Sequence, residues 1–141
     1  MQGDRWAAGD AKLSPDQNGD QRHILVVDDE HVVLAITSRM LRTAGYGALE
    51  APSARQALSI LEQADPPIDL VITDVVMPET DGRTLGRLIA ERYPGIPVAY
   101  MSAYPVNDVF HRGAPGPNLP FLSKPFSPEA LLTLVKSALV S

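Results

Sequence analysis

Hydrophobic and polar positions along the chain switch between two periods. Short, largely apolar runs occupy residues 24–27, 68–72, 96–101 and 121–123, the first three containing β-branched residues, and each runs into polar or turn-forming residues. Such runs read as strands, and their lack of polar alternation reads as burial on both faces. Residues 46–51 form a weaker fifth strand. Between the strands the period becomes helical. Val32, Val33, Ile36 and Met40 predict the stripe of a helix over residues 31–44, stopped by Gly45. Ala54, Ala57, Leu58 and Leu61 predict a second helix, opened by the capping-box sequence Ser53-Ala54-Arg55-Gln56 and ended before Pro66-Pro67. Leu85, Leu88 and Ile89 mark a third over residues 82–93, with Pro94-Gly95 behind it. Leu131, Leu132, Val135 and Leu139 mark the last, with Ser127 as its cap and Pro128 at its first position.

Two stretches fall outside this rhythm. Residues 1–21 are poor in large apolar side chains and read as a flexible leader or linker, with Trp6 a stray aromatic inside it. Residues 22–141 then make the domain. Within it, residues 104–120 hold Pro105, Gly113, Pro115, Gly116, Pro117 and Pro120, which leave room for a helix of about two turns at most, over residues 106–111. Strands alternating with helices imply an α/β fold, a doubly wound five-stranded parallel sheet covered on both faces. In the flavodoxin-like order 2-1-3-4-5, ligands bind beyond the carboxyl ends of strands 1 and 3, where the strand order reverses.

Composition narrows the function classes. The 141 residues suit one domain, or one domain with a tail, large enough to bury a core without staples. With no cysteine there is no disulfide framework and no thiol chemistry, which fits a cytoplasmic setting. A net charge of −5 argues against direct nucleic-acid binding. No apolar run approaches the roughly 20 residues that span a bilayer, and no signal peptide opens the chain.

Candidate chemistry sits at the strand ends. Asp28-Asp29-Glu30 follows the first strand, Asp74 ends the third, Ser102 the fourth, and Lys124 follows the fifth. Taken singly, each has an ordinary reading: acids at a helix N-terminus, a turn serine, a surface lysine. Taken together, at the carboxyl edge of one sheet, they point to a phosphoryl-accepting site. Clustered carboxylates resist ionising together, and a hard divalent cation such as Mg²⁺ relieves that repulsion while accepting a phosphate oxygen. Asp74 is then the carboxylate nucleophile, Lys124 the neutralising ammonium, and Ser102 a donor to the phosphoryl oxygens. His23, His31 and His111 show no ligand spacing.

The motifs Ile24-Leu25-Val26-Val27-Asp28-Asp29-Glu30, Asp74-Val75-Val76-Met77-Pro78 with Asp81-Gly82, Met101-Ser102-Ala103 and Phe121-Leu122-Ser123-Lys124-Pro125-Phe126 resemble those of response-regulator receiver domains, the phospho-acceptor modules of two-component signalling. The ending from Leu122 to Leu132 resembles receivers attached to hybrid sensor kinases. The resemblance implies that Asp74 is the phosphorylated residue. It also implies that Asp28, Asp29, Asp74 and the backbone carbonyl of Val76 hold Mg²⁺, and that Ser102 and Phe121 are the switch pair. By the same resemblance Lys124 is the site lysine, and its bond to Pro125 is expected to be cis. The implied partners are a histidine kinase or phosphotransfer protein as donor and another protein as output, with no separate substrate turned over. Phe121 stands where many members carry tyrosine, so it lacks the hydroxyl. The rival from another class is a haloacid-dehalogenase-like phosphatase, whose Asp-x-Asp would follow the first strand. Asp28 and Asp29 are adjacent instead. A degenerate receiver acting only as a binding module is disfavoured by the intact acidic set.

Overall fold

A computed structural model of the protein describes residues 21–63, 65–104 and 120–140. The expected leader up to residue 20, Trp6, His111 and the short helix over residues 106–111 lie outside the described residues. In chain order the elements are β1 (His23–Val27), α1 (His31–Thr43), β2 (Gly47–Ala51), α2 (Ala54–Gln63), β3 (Leu70–Asp74), α3 (Gly82–Arg92), β4 (Val98–Ser102), β5 (Phe121–Ser123) and α4 (Pro128–Leu139). All strand pairs are parallel, in the order β2-β1-β3-β4-β5, the expected 2-1-3-4-5.

Strand alternation divides the core into two layers. Ile24, Val26, Leu70, Ile72, Ala99, Met101 and Leu122 face α1 and α4, where they meet Leu34, Leu41, Leu131 and Val135. Leu25, Val27 and Val71 face α2 and α3, against Ala57, Leu61, Leu85 and Ile89. From Ile24 on, β1 is fully buried, as is all of β3, which explains their unbroken apolar runs. Each buried aliphatic side chain contributes roughly 1.5–3 kcal/mol, so these central strands are the hardest part of the fold to open.

The expected stripe on α1 is corrected by the structure. Val32 and Ile36 are 69% and 49% exposed, and Val33 and Met40 are half-buried. The buried face is Leu34, Thr37, Ser38 and Leu41. Two hydroxyl residues interrupt the apolar period of the true core face, so the pattern favoured the neighbouring one. Thr37 Oγ1 and Ser38 Oγ are buried without a hydrogen-bond partner. An unsatisfied buried hydroxyl costs about 1–3 kcal/mol, whereas an apolar isostere does not. Thr37→Val should therefore raise the unfolding free energy by about 1 kcal/mol, read as a higher urea midpoint with an unchanged m-value. A lower midpoint would mean that Thr37 has a partner in solution.

Local signals set the helix ends. Gly45 adopts φ 98°, and its N–H and that of Tyr46 donate to the carbonyls of Arg42 and Leu41, which is the Schellman closure of α1. Ser53 Oγ accepts from Gln56 N at 3.2 Å, one half of the expected capping box, and Ser127 Oγ accepts from Ala130 N at 3.1 Å. The Lys124-Pro125 bond is cis, as is Asp65-Pro66.

Candidate functional site

Register carries the acids together. Val27 of β1 lies opposite Thr73 of β3, so the residues that follow emerge side by side at the carboxyl edge of the sheet. Asp28, Asp29 and Asp74 each place one carboxylate oxygen within 4.8 Å of the others. Asp28 and Asp74 are buried and Asp29 is exposed, so the cluster has two deep members and one at its mouth. Asp28 Oδ1 also accepts from Glu30 N at 2.9 Å, which fixes the turn into α1.

Lys124 reaches this cluster from two strands away. Its backbone N–H donates to Ser102 O at 2.8 Å, which ties the end of β5 to that of β4. Its Nζ then lies 2.6 Å from Asp28 Oδ2, 3.3 Å from Asp74 Oδ1 and 3.9 Å from Glu30 Oε1. Burial alone would lower the pKa of this ammonium. The hydrogen bond that it donates to Asp28 and the charges of Asp74 and Asp28 outweigh burial, and the pKa is raised. Asp74 moves the other way against its ordinary ionised state. Burial first, then the Asp28 charge, lift it from 3.8 to about 6, against the charge and hydrogen bond of Lys124. A carboxylate held between opposed fields titrates close to neutral pH, the range in which functional carboxyls are found.

The backbone around Asp74 is held by Thr73, by Gly82 and by the cap of α3. Thr73 Oγ1 donates to Asp74 O at 2.9 Å, and Gly82 N donates to Val75 O at 2.7 Å. Asp81 caps α3 by accepting from Thr84 N at 2.9 Å. The Asp-x-x-Thr spacing at the start of a helix was the available signal. Burial of the Asp81 carboxyl would raise its pKa, but the Thr84 N–H and the Arg83 pair hold it below the usual carboxylate range. A Cβ on Gly82 would stand 2.1 Å from Asp74 O and 3.0 Å from the Val75 Cα, backbone on both counts. Gly82→Ala should thus force the 75–81 loop away from Asp74. It should cost about 1–3 kcal/mol of stability, and phosphoryl uptake should slow with it. A parent-like urea midpoint would show that the loop gives way freely.

Ser102 and Phe121 stand beside the cluster rather than in it. Ser102 is buried one residue beyond Met101, the partner of Asp74 across β3 and β4. Its Oγ accepts from Tyr104 N at 3.0 Å. Phe121 is half-buried and packs on Val75 and Tyr100. Val76, two residues beyond Asp74, is exposed. The His23 ring lies over Gly47, where a Cβ would meet it at 2.5 Å, and His31 opens α1 on the surface.

A parallel sheet of this order carries an aspartate trio and a lysine at its carboxyl edge, and Asp28 and Asp29 are adjacent where the phosphatase alternative would have Asp-x-Asp. Residues 24–136 match the family model described as response regulator receiver domain, and the chain belongs to that family, the phospho-acceptors of two-component systems. It is 41% identical over 117 residues to the sensor kinase CckA of Brucella abortus (strain 2308), which covers 82% of this chain and 12% of that one. To the response regulator FleR of Pseudomonas aeruginosa it is 38% identical over 116 residues, covering 79% and 23%. The chain thus spans under a quarter of either relative. Among solved structures, a receiver domain from the hybrid histidine kinase CckA superposes with TM-score 0.69 at 36% identity, covering 83% and 98%. A receiver domain from Clostridium thermocellum superposes with TM-score 0.75 at 28% identity, covering 84% and 94%. Among the described residues no helix is long and apolar enough to cross a membrane.

Proposed function

We propose that residues 22–141 form a cytoplasmic receiver that takes a phosphoryl group from a histidine kinase or phosphotransfer protein onto Asp74. It then presents an altered surface to an output protein. The observation that carries this reading is the trio of carboxylates within 4.8 Å with the Lys124 ammonium against two of them. In transfer, an Asp74 oxygen forms the new O–P bond as the N–P bond to the donor histidine breaks, and the imidazole keeps the electron pair. Lys124 sits where it neutralises charge on the transferring oxygens. An all-oxygen donor set of this kind fits Mg²⁺, which Asp28, Asp29, Asp74 and the Val76 carbonyl would hold. The metal would supply Lewis-acid charge and relieve the repulsion among the carboxylates. Ser102 and Phe121 are read as the switch pair. The chain assists its own phosphorylation and dephosphorylation and acts on no separate substrate, nucleic acid or membrane.

The face of α1 that the core leaves free supports a docking place for the donor. A cavity of about 340 Å³, lined by Val33, Ile36, Met40 and Phe126 among others, reaches Lys124 and Glu30 at one end. Exposed Val32 and Ile36 lie on the same helix. An apolar helix face of the donor, set there, brings its histidine next to Asp74. Ile36→Asp should slow transfer from the cognate donor at least tenfold and leave phosphorylation by acetyl phosphate unchanged. Equal slowing with both donors would move docking elsewhere. The assignment of Asp74 is tested by incubation with acetyl phosphate and Mg²⁺, intact mass and peptide mapping. One phosphoryl group on Asp74 is expected, and a group mapped to any other residue overturns it.

A further inference from the structure

On β4, Ala99 and Met101 face α1 and α4. Alternation therefore turns Tyr100 and Ser102 to the opposite side of the strand. Tyr100 is buried, and its register partner across β5 is Phe121, which packs against Tyr100 and Val75. The far edge of the Tyr100 ring meets α3. A Cβ on Gly86 would lie 2.0 Å from the Tyr100 hydroxyl oxygen and 3.0 Å from its Cζ. Gly86 is a buried glycine in the middle of a helix, where glycine weakens the helix relative to alanine. The notch that glycine leaves is filled by the Tyr100 ring. One aromatic side chain thus touches the residue read as the switch aromatic at one end and the backbone of α3 at the other.

We propose that Tyr100 is a positioning residue that couples the Ser102–Phe121 pair to α3 through its seat in the Gly86 notch, so that the state of Asp74 is felt along α3. The proposal rests on the switch reading of Ser102 and Phe121 given above. A Phe121 ring that shifts when Ser102 is drawn toward a phosphoryl group changes its packing on Tyr100. Tyr100 cannot retreat from that change into the core, because Gly86 backbone closes its other side. Packed interfaces of this kind pass on a displacement rather than absorb it.

The seat itself is tested by a mutant cycle. In the parent, Gly86→Ala places a methyl group on the hydroxyl oxygen and should lower the urea midpoint. In the Tyr100→Phe background that oxygen is gone and only the ring carbon at 3.0 Å remains, so the same substitution should lower the midpoint much less. An equal loss in both backgrounds overturns the contact. The coupling is tested by amide NMR of the full chain in Mg²⁺, with and without beryllofluoride as the phosphoryl mimic. In the parent, the Val75 amide and the amides of residues 85–89 should all shift. In Tyr100→Leu, Val75 should shift as before while the α3 shifts fall at least threefold. Tyr100→Phe, which keeps the ring, should retain most of them. If Tyr100→Leu does not fold, the Gly86→Ala variant takes its place with the same expectation. Undiminished α3 shifts in either variant overturn the coupling, as do parent α3 amides that stay still while Val75 responds. A parent in which Val75 itself does not respond overturns the phosphoryl-site reading and, with it, the coupling.

Discussion

Asp74→Asn is expected to take up no phosphoryl group from acetyl phosphate and, in metal-free buffer above pH 7, to unfold at a higher urea concentration than the parent. The first effect follows from removing the nucleophilic oxygen. The second follows from linkage. Folding lifts the Asp74 pKa from 3.8 to about 6, through burial and then the Asp28 charge. Between those values the folded state binds more protons than the unfolded one, so stability falls as pH rises. The favourable contribution of protonated Asp74 is fully present below its unfolded value of 3.8 and is lost as pH passes through about 6. A displacement of that size is worth on the order of 2–3 kcal/mol. Asparagine mimics the protonated acid at every pH, so the variant should exceed the parent by about that amount at pH 8 and by little at pH 4. Urea titrations of both proteins at the two pH values decide the matter. Equal midpoints at pH 8 would mean that Asp74 ionises without penalty in the folded chain. Mg²⁺ should shrink the gap, because a divalent cation at the carboxylates stabilises their ionised form.

That penalty marks where sequence reading reached and where it stopped. The strands of the sheet were legible because central parallel strands are buried on both faces. Runs such as Ile24-Leu25-Val26-Val27 therefore carry no polar positions to confuse the period. Alternation of strand and helix pointed to a parallel sheet, and the flavodoxin-like order expected for it, which the structure has, brings Asp28, Asp29 and Asp74 to one edge. The face of α1 was not legible. Thr37 and Ser38 are buried without partners, against the rule by which apolar positions reveal a core. Gly82 stood out only as part of the Asp81-Gly82 motif and Gly86 not at all, since a close approach of Asp74 O or of the Tyr100 ring is a tertiary fact. Lys124 was read as an ammonium for a phosphoryl group alone. Its 2.6 Å contact with buried Asp28 gives it a second task in the unphosphorylated chain.

That second task carries the other large expected effect. Lys124→Met keeps the length and apolar stem of the side chain and removes the charge. It leaves Asp28, fully buried, and Asp74 facing each other with no cation between them. Breaking a buried pair by removing one partner costs roughly 3–5 kcal/mol, because the remaining charge stays desolvated. The variant should lose about that much stability in metal-free buffer at pH 8. Two conditions should restore part of it. Lowering the pH protonates Asp74, whose pKa climbs further once the lowering influence of Lys124 is gone. Stability of the variant should therefore begin to rise at a higher pH than in the parent as the solution is acidified, so that its gain between pH 8 and 5.5 exceeds the parent's. Millimolar Mg²⁺ should also recover stability, and more in the variant than in the parent, since only the variant lacks a resident cation at the carboxylates. Phosphorylation should remain impaired under both rescues, because neither returns an ammonium to the transferring oxygens. Thermal or urea unfolding with and without Mg²⁺, at pH 5.5 and 8, separates the two tasks of Lys124. A variant as stable as the parent in metal-free buffer at pH 8 would confine Lys124 to the phosphoryl chemistry. A loss that neither acid nor Mg²⁺ relieves would show that charge repulsion among the carboxylates is not its cause.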